Sequence, residues 1–143
     1  LIAQILTKHS GADGDTIWGN GSETGLISKN VGDASGAIQS ITGIGFKPHL
    51  VLLFGVINGQ VSFSIGVRSA SVGDRAFAQS PDPLGRGSNV WNTTGSGSIF
   101  LALDGSNYIN GAVQSLDPDG FTLQWTKSGS PSGTAYIGYI CLR

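Results

Sequence analysis

Charge is what this sequence has least of. Asp, Glu, Lys and Arg make up 12 % of its 143 residues, about half of the roughly 25 % found in soluble domains. The net charge is −1, and the eight Lys and Arg residues are scattered singly. A nucleic-acid binder needs a basic stripe or patch, so that class is not expected. Few ions also means little desolvation cost when surface is buried against another subunit. A single cysteine, Cys141, excludes an internal disulfide framework and a multi-cysteine zinc site. It stands in an apolar run and reads as a buried, inert thiol. No stretch approaches the ~18 apolar residues of a membrane span, so no membrane partner is expected. The opening Leu-Ile-Ala-Gln-Ile-Leu is too short for a signal peptide and lacks a basic flank. Methionine is absent, so an initiator was removed or falls outside the numbering. Strong helix formers are sparse, which argues against a helical domain.

What is present is glycine, 23 of 143 residues, about twice the usual share, together with Ser, Thr, Asn and alternating apolar positions. This composition predicts an all-β protein with many turns. The length suits one domain with a real core. Hydrophobic residues at 39 % are enough to build it.

Along the chain, residues 1–8 alternate weakly, and 10–16 form a turn cluster. Residues 18–36 are rich in Gly, Asn, Ser and Asp and read as a long arm. An arm of that length gains order by lying on a neighbouring subunit. Residues 37–43 are a strand candidate, with Ile38 and Ile41 apolar. Leu50-Val-Leu-Leu-Phe54 is continuously apolar, which suits a strand buried on both faces. Asn58-Gly59 is the best hairpin signal in the chain. Beyond it Val61, Phe63, Ile65 and Val67 alternate with Ser62, Ser64, Gly66 and Arg68, giving a half-buried strand. Residues 74–97 read as a second long loop, with Phe77 and Trp91 as anchors and Gly85-Arg86-Gly87 within it. Ile99, Leu101 and Leu103 alternate again, and 108–116 form a strand with a break expected at Asn110-Gly111. Asp117-Pro-Asp-Gly120 opens a strand carrying Phe121, Leu123 and Trp125 on one face. A Ser/Gly/Pro loop then leads into 135–142. This last quarter reads as a hairpin that places the C-terminus inside the sheet. The expected fold is an antiparallel β-sandwich or jelly-roll-like packing of seven to nine strands. It divides into an N-terminal strand and arm at 1–36 and a core at 37–143. The echo of Ile57-Asn-Gly-Gln-Val61 in Ile109-Asn-Gly-Ala-Val113 suggests either a duplication or chance.

Chemistry is thinly represented. His9 and His49 joined by Asp13 or Asp15 make a metal reading; surface or structural histidines make the other. Asp13-Gly-Asp15 and Asp117-Pro-Asp-Gly120 resemble fragments of calcium loops, but the only Glu, Glu23, is far from Asp117. Asp also favours turns through bonds to its own backbone. Gly129-Ser-Pro-Ser-Gly133 carries a Pro that breaks a nucleophile elbow. Gly19-Asn-Gly21 has the wrong spacing for a dinucleotide. No catalytic residue, metal or cofactor is expected. Trp18 and Trp91 lie among Asn and Gly residues and are candidates for contacting a sugar or a protein partner, with Asn20, Phe77 and Arg86 beside them in the two long loops. Asn20-Gly-Ser22 and Asn92-Thr-Thr94 match the glycosylation pattern, which carries no weight without a secretory signal.

Ile41-Thr-Gly-Ile-Gly-Phe-Lys-Pro-His-Leu-Val-Leu-Leu-Phe54, Asp119-Gly-Phe-Thr-Leu-Gln-Trp-Thr126 and Gly133-Thr-Ala-Tyr-Ile-Gly-Tyr-Ile140 follow one another in an order that resembles small β-rich proteins encoded by tailed bacteriophages. The shared pattern is a Thr-Gly-x-Gly-Phe-x-Pro turn into an apolar strand, an Asp-Gly-Phe-Thr strand and a final tyrosine-bearing strand. The similarity covers about residues 37–142. It implies a virion structural component without catalysis, and brings no site residues with it. The expected function is therefore a capsid decoration or cement protein, a homo-oligomer (a trimer) that contacts the major capsid protein. Its location would be the virion, assembled in the host cytoplasm. The alternative is a tail or tail-fibre module that binds host-surface carbohydrate, and a polysaccharide hydrolase stands third.

Overall fold

A computed structural model describes residues 21–81 and 88–143, together with two short strands further upstream. Those two, β1 (His9–Ser10) and β2 (Thr16–Ile17), pair antiparallel as a small ribbon. Ten strands follow: β3 (Ser22–Asn30), β4 (Ala37–Thr42), β5 (Leu50–Ile57), β6 (Phe63–Ser69), β7 (Gly73–Pro81), β8 (Ser88–Thr94), β9 (Ile99–Ala102), β10 (Tyr108–Asp117), β11 (Gly120–Ser128) and β12 (Thr134–Leu142). They form a six-stranded sheet in the order β3-β12-β5-β6-β7-β8 and a four-stranded sheet in the order β4-β11-β10-β9. All described pairs are antiparallel. The all-β sandwich read from composition and alternation is the architecture that the chain adopts.

Alternation decides what lies between the layers. Val51, Leu53 and Ile57 of β5, with Ala135, Ile137 and Cys141 of β12, face Phe121, Leu123 and Trp125 of β11 and Ile109 and Val113 of β10. Phe121 meets the Tyr139 ring edge-on, with centroids 5.5 Å apart. The Trp125 indole N–H donates to the Gln39 side-chain oxygen at 3.0 Å, so its polar edge is satisfied in the core.

Strand β9 organises the other end. It pairs with β10 on one side and lies against β5, β6 and β7. Ile99 and Leu101 enter the main core, while Phe100 and Ala102 pack on Ala76 and Ala78 of β7 with Tyr108 beside them. The free edge of β9 is thus covered by the other sheet rather than by another strand. The Phe100 N–H donates to the Ser64 hydroxyl at 3.1 Å. Gly66 makes this approach feasible: a Cβ there would lie 1.9 Å from the Ser98 carbonyl oxygen.

Several expectations change. Residues 22–30, read as part of an arm, are strand β3, paired along its whole length with β12. Lys29, Asn30 and Thr24 gave no strand signal, but Ile27 enters the core and the partner β12 supplies the apolar complement. Residues 22–30 of the segment read as an arm thus belong to the six-stranded sheet. Residues 73–81 and 88–94, read as loop, are β7 and β8. The inward positions of β7 are small, at Ala76 and Ala78, because β9 fills the space above them. Strands β11 and β12 are not a hairpin: β11 pairs with β4 and β10, β12 with β3 and β5. Alternation marks which face is buried but not which strand lies alongside. The C-terminal strand is inside its sheet, as expected. The Asn58-Gly59 hairpin joins β5 to β6 through residues 58–62. Strand β10 runs unbroken through Asn110-Gly111 and shifts register between Val113 and Ser115 instead. Residues 58–61 lie in the turn that follows β5 and 109–113 in the middle of a strand, so the echo between them is not structural.

Candidate interaction surface

The outer face of the six-stranded sheet is the most unusual surface among the described residues. Residue pairing across the strands lays it out in rows. One row is Leu26, Gly138, Phe54, Ile65 and Phe77. Its neighbour on one side is Thr24, Ile140, Leu52, Val67 and Arg75, and on the other Ser28, Tyr136, Val56, Phe63 and Gln79. Arg75 is the only charged residue in the three rows.

Strand β6 shows how this face arises. Its alternation is the one read from sequence, but the buried set is the small polar one. Ser64 is 0 % exposed, whereas Phe63 is 48 % and Ile65 44 % exposed. The inner face must admit the β9 backbone, and small residues, Ser64 and Gly66, stand where it approaches. The large apolar residues are left facing outward. Strand β7 repeats the arrangement, with Ala76 and Ala78 inward and Phe77 56 % exposed. Strand β5 was expected to be buried on both faces; the chain buries the alternate residues Val51, Leu53, Gly55 and Ile57, and leaves Leu50, Leu52 and Phe54 partly open. A two-layer sandwich can cover only one side of such a strand.

The face has relief. Phe54 lies over Gly138, where a Cβ would come within 2.4 Å of the ring. A shallow apolar hollow of about 200 Å³ is lined by Leu52, Ile65, Gly66, Val67, Arg75 and Phe77. At the far end of the central row Leu26 stands 69 % exposed. Applying the exposed fractions of Leu26, Val56, Phe63, Ile65, Phe77 and Tyr136 to whole side-chain areas of about 150–250 Å² gives about 600 Å² of largely apolar surface. The largest apolar patch on a typical monomer is about 300–600 Å².

Four carboxylates among the described residues, by contrast, are occupied within the fold. Asp74 is buried and accepts hydrogen bonds from the Ser98 hydroxyl and from Arg68 Nη1 at 2.9 Å. The Val113 N–H reaches both Asp74 Oδ1, at 3.4 Å, and the Ser98 hydroxyl oxygen, at 3.3 Å. Asp119 accepts the N–H groups of Gly45 at 2.6 Å and Gly43 at 3.0 Å, which hold its carboxyl below the usual range. Asp104 is likewise lowered, first by the Asn107 side chain and then by the backbone N–H groups of Ser106 and Asn107. Asp117 accepts the Thr122 hydroxyl at 2.8 Å. These bonds tie turns and sheets together. Burial pushes the Cys141 thiol up to about 11, with Glu23 adding to the shift. Among the described residues no group of three or more His, Cys, Asp or Glu is placed to hold a metal ion, and no helix is long and apolar enough to cross a membrane.

Of the residues singled out from sequence, Phe77 lies on the apolar face. Trp91 sits in β8 with its backbone opposite Ala78. Trp18, Asn20 and Arg86 lie outside the described residues. Sequence reasoning missed Leu26, Phe54, Phe63, Ile65 and Tyr136. A signal was present in the unbroken run at 50–54, whose second face has no partner in a two-sheet domain.

No family model, no curated protein and no solved structure matches this chain.

Proposed function

We propose that this chain is a non-enzymatic structural protein of a tailed-bacteriophage virion, a decoration or cement protein of the head lattice. On this reading the outer face of the six-stranded sheet is buried by protein in the working assembly. The observation that carries the proposal is that face, about 600 Å² of nearly uncharged, largely apolar surface on a single chain, at the upper end of what a typical monomer exposes. Covering it releases water without stripping many ions, which is what a subunit needs to associate tightly. The phage resemblance of 41–54, 119–126 and 133–140 supplies the virion setting. Each of Asp74, Asp104, Asp117 and Asp119 already serves the fold, which supports a structural rather than a catalytic role. Trp125 is likewise committed to the core.

A cement protein that binds only the assembled lattice stabilises it by mass action. Adding the purified chain to undecorated heads of the phage that encodes it should saturate at a fixed ratio to capsid protein and raise the temperature at which heads rupture. Density along the tail, or heads that neither bind the chain nor gain stability, would remove the decoration reading.

A further inference from the structure

We propose that a second copy of this chain closes the outer face of the six-stranded sheet, packed sheet to sheet about a two-fold axis that runs along β5 above Phe54. The inference rests on the reading that this face is buried by protein, and it names the protein. Area is the first argument. A standard stable interface buries about 800 Å² per partner; the six most exposed residues of this face supply about 600 Å² of that, and the partly open Leu52, Phe54, Val67 and Ile140 between them add to it.

Charge is the second argument. A face with one charged residue in three rows offers a foreign partner little electrostatic specificity. It also gives a copy of itself nothing to repel. Register is the third. Strands lie about 4.8 Å apart, so Leu26 on β3 and Phe77 on β7 are each two strands from Phe54, on opposite sides. A two-fold axis along β5 exchanges them. The exposed Leu26 of one copy then enters the hollow beside Ile65 and Phe77 of the other, and the reverse contact forms by symmetry. The same operation sets Arg75 opposite Thr24 rather than opposite its own mate. Symmetry is the fourth. One self-complementary patch closes with two copies, whereas a trimer needs two different patches that fit each other. The proposal therefore departs from the trimer expected from sequence.

The test uses the full chain in solution. Sedimentation and light scattering at about 10 µM should give twice 14.7 kDa. Leu26→Asp and Phe77→Asp each bury a charged carboxylate in the apolar contact and should weaken association about 10-fold or more, the nearby Arg75 offsetting part of the burial cost. Both positions are exposed in the single chain, so circular dichroism should be unchanged. Mixing Leu26→Cys with Phe77→Cys under mild oxidation should give a disulfide between the two variants. The positions are four strands apart within one chain, about 19 Å, well beyond disulfide reach. A monomer at high concentration, a trimer, a dimer indifferent to both Asp substitutions, or the absence of the mixed disulfide would each overturn the proposal. The outcomes separate from those for function: a two-fold dimer that never binds heads keeps this inference and removes the decoration reading. A monomer that saturates heads does the opposite.

Discussion

Replacing Gly66 with Ala tests the packing that turns the apolar residues of β6 outward. A Cβ at this position would lie 1.9 Å from the Ser98 carbonyl oxygen and 2.6 Å from the Arg75 carbonyl oxygen. Both are backbone atoms, so no side chain can rotate away. A carbon–oxygen contact relaxes only near about 3.3 Å, and β9 must retreat from β6 by more than an ångström. The retreat lengthens the Phe100 N–H to Ser64 bond, now 3.1 Å, and loosens the Ser98–Asp74 contact. Overpacking costs about 1–3 kcal/mol, and each buried group left unpaired costs about 1–3 kcal/mol more. The expected loss is about 3–6 kcal/mol, a large share of the roughly 5–15 kcal/mol of a typical domain. Gly105→Ala is the control, because nothing lies within 4 Å of its added Cβ. It should be neutral or stabilise by up to about 1 kcal/mol. Urea melts at matched protein concentration measure both, read as a change in midpoint at constant slope. A Gly66→Ala chain within about 0.5 kcal/mol of the parent would refute the close approach of β9, and with it the explanation for the outward apolar face.

Three further outcomes follow from the buried and hydrogen-bonded groups. Asp74→Ala leaves the Arg68 guanidinium and the Ser98 hydroxyl without their acceptor and should cost about 3 kcal/mol in the same urea assay; an unchanged midpoint would contradict the bonding assigned to Asp74. Cys141 should resist a thiol reagent at pH 8 until the chain unfolds. Its thiol ionises near pH 9 when unfolded but near 11 when folded, so the unfolded state loses its proton first and stability should fall by about 2–3 kcal/mol from pH 9 to 11. Cys141→Ala should flatten that part of the curve. Asp119 has its carboxyl lowered by the Gly45 and Gly43 amides. Its contribution is therefore present above the unfolded value near pH 4 and is lost as pH falls through the lower folded value. Asp119→Asn should reduce acid sensitivity there, as followed by an NMR pH titration and melts between pH 2 and 5.

Fold class was legible because period-two alternation and turn residues are local. Phe121, Leu123 and Trp125 declared a buried face without knowledge of any partner, and Asn58-Gly59 declared a hairpin. Strand neighbours were not legible. The loop at 129–133 was read as joining paired strands, yet β11 and β12 lie in different sheets, because a crossing loop and a hairpin loop use the same Ser, Gly and Pro residues. Strand β3 was read as loop because Ile27 is the one large apolar residue that it turns inward, and β7 because its in-facing residues Ala76 and Ala78 are small, a choice imposed by β9 from across the sandwich. The interaction face was hidden for the same reason. In β6, Phe63 and Ile65 promised a core, and only the tertiary position of Ser98 over Gly66 shows that the core lies on the other side.

The central claim is that the outer face of the six-stranded sheet is covered when the protein is assembled. Hydroxyl-radical footprinting of the assembled protein measures this residue by residue. Phe63, Phe77 and Tyr136 should be protected relative to the dilute single chain. Ile38 and Val72, exposed outside the three rows, should be labelled equally in both. Full labelling of Phe63, Phe77 and Tyr136 in the assembly would contradict the account.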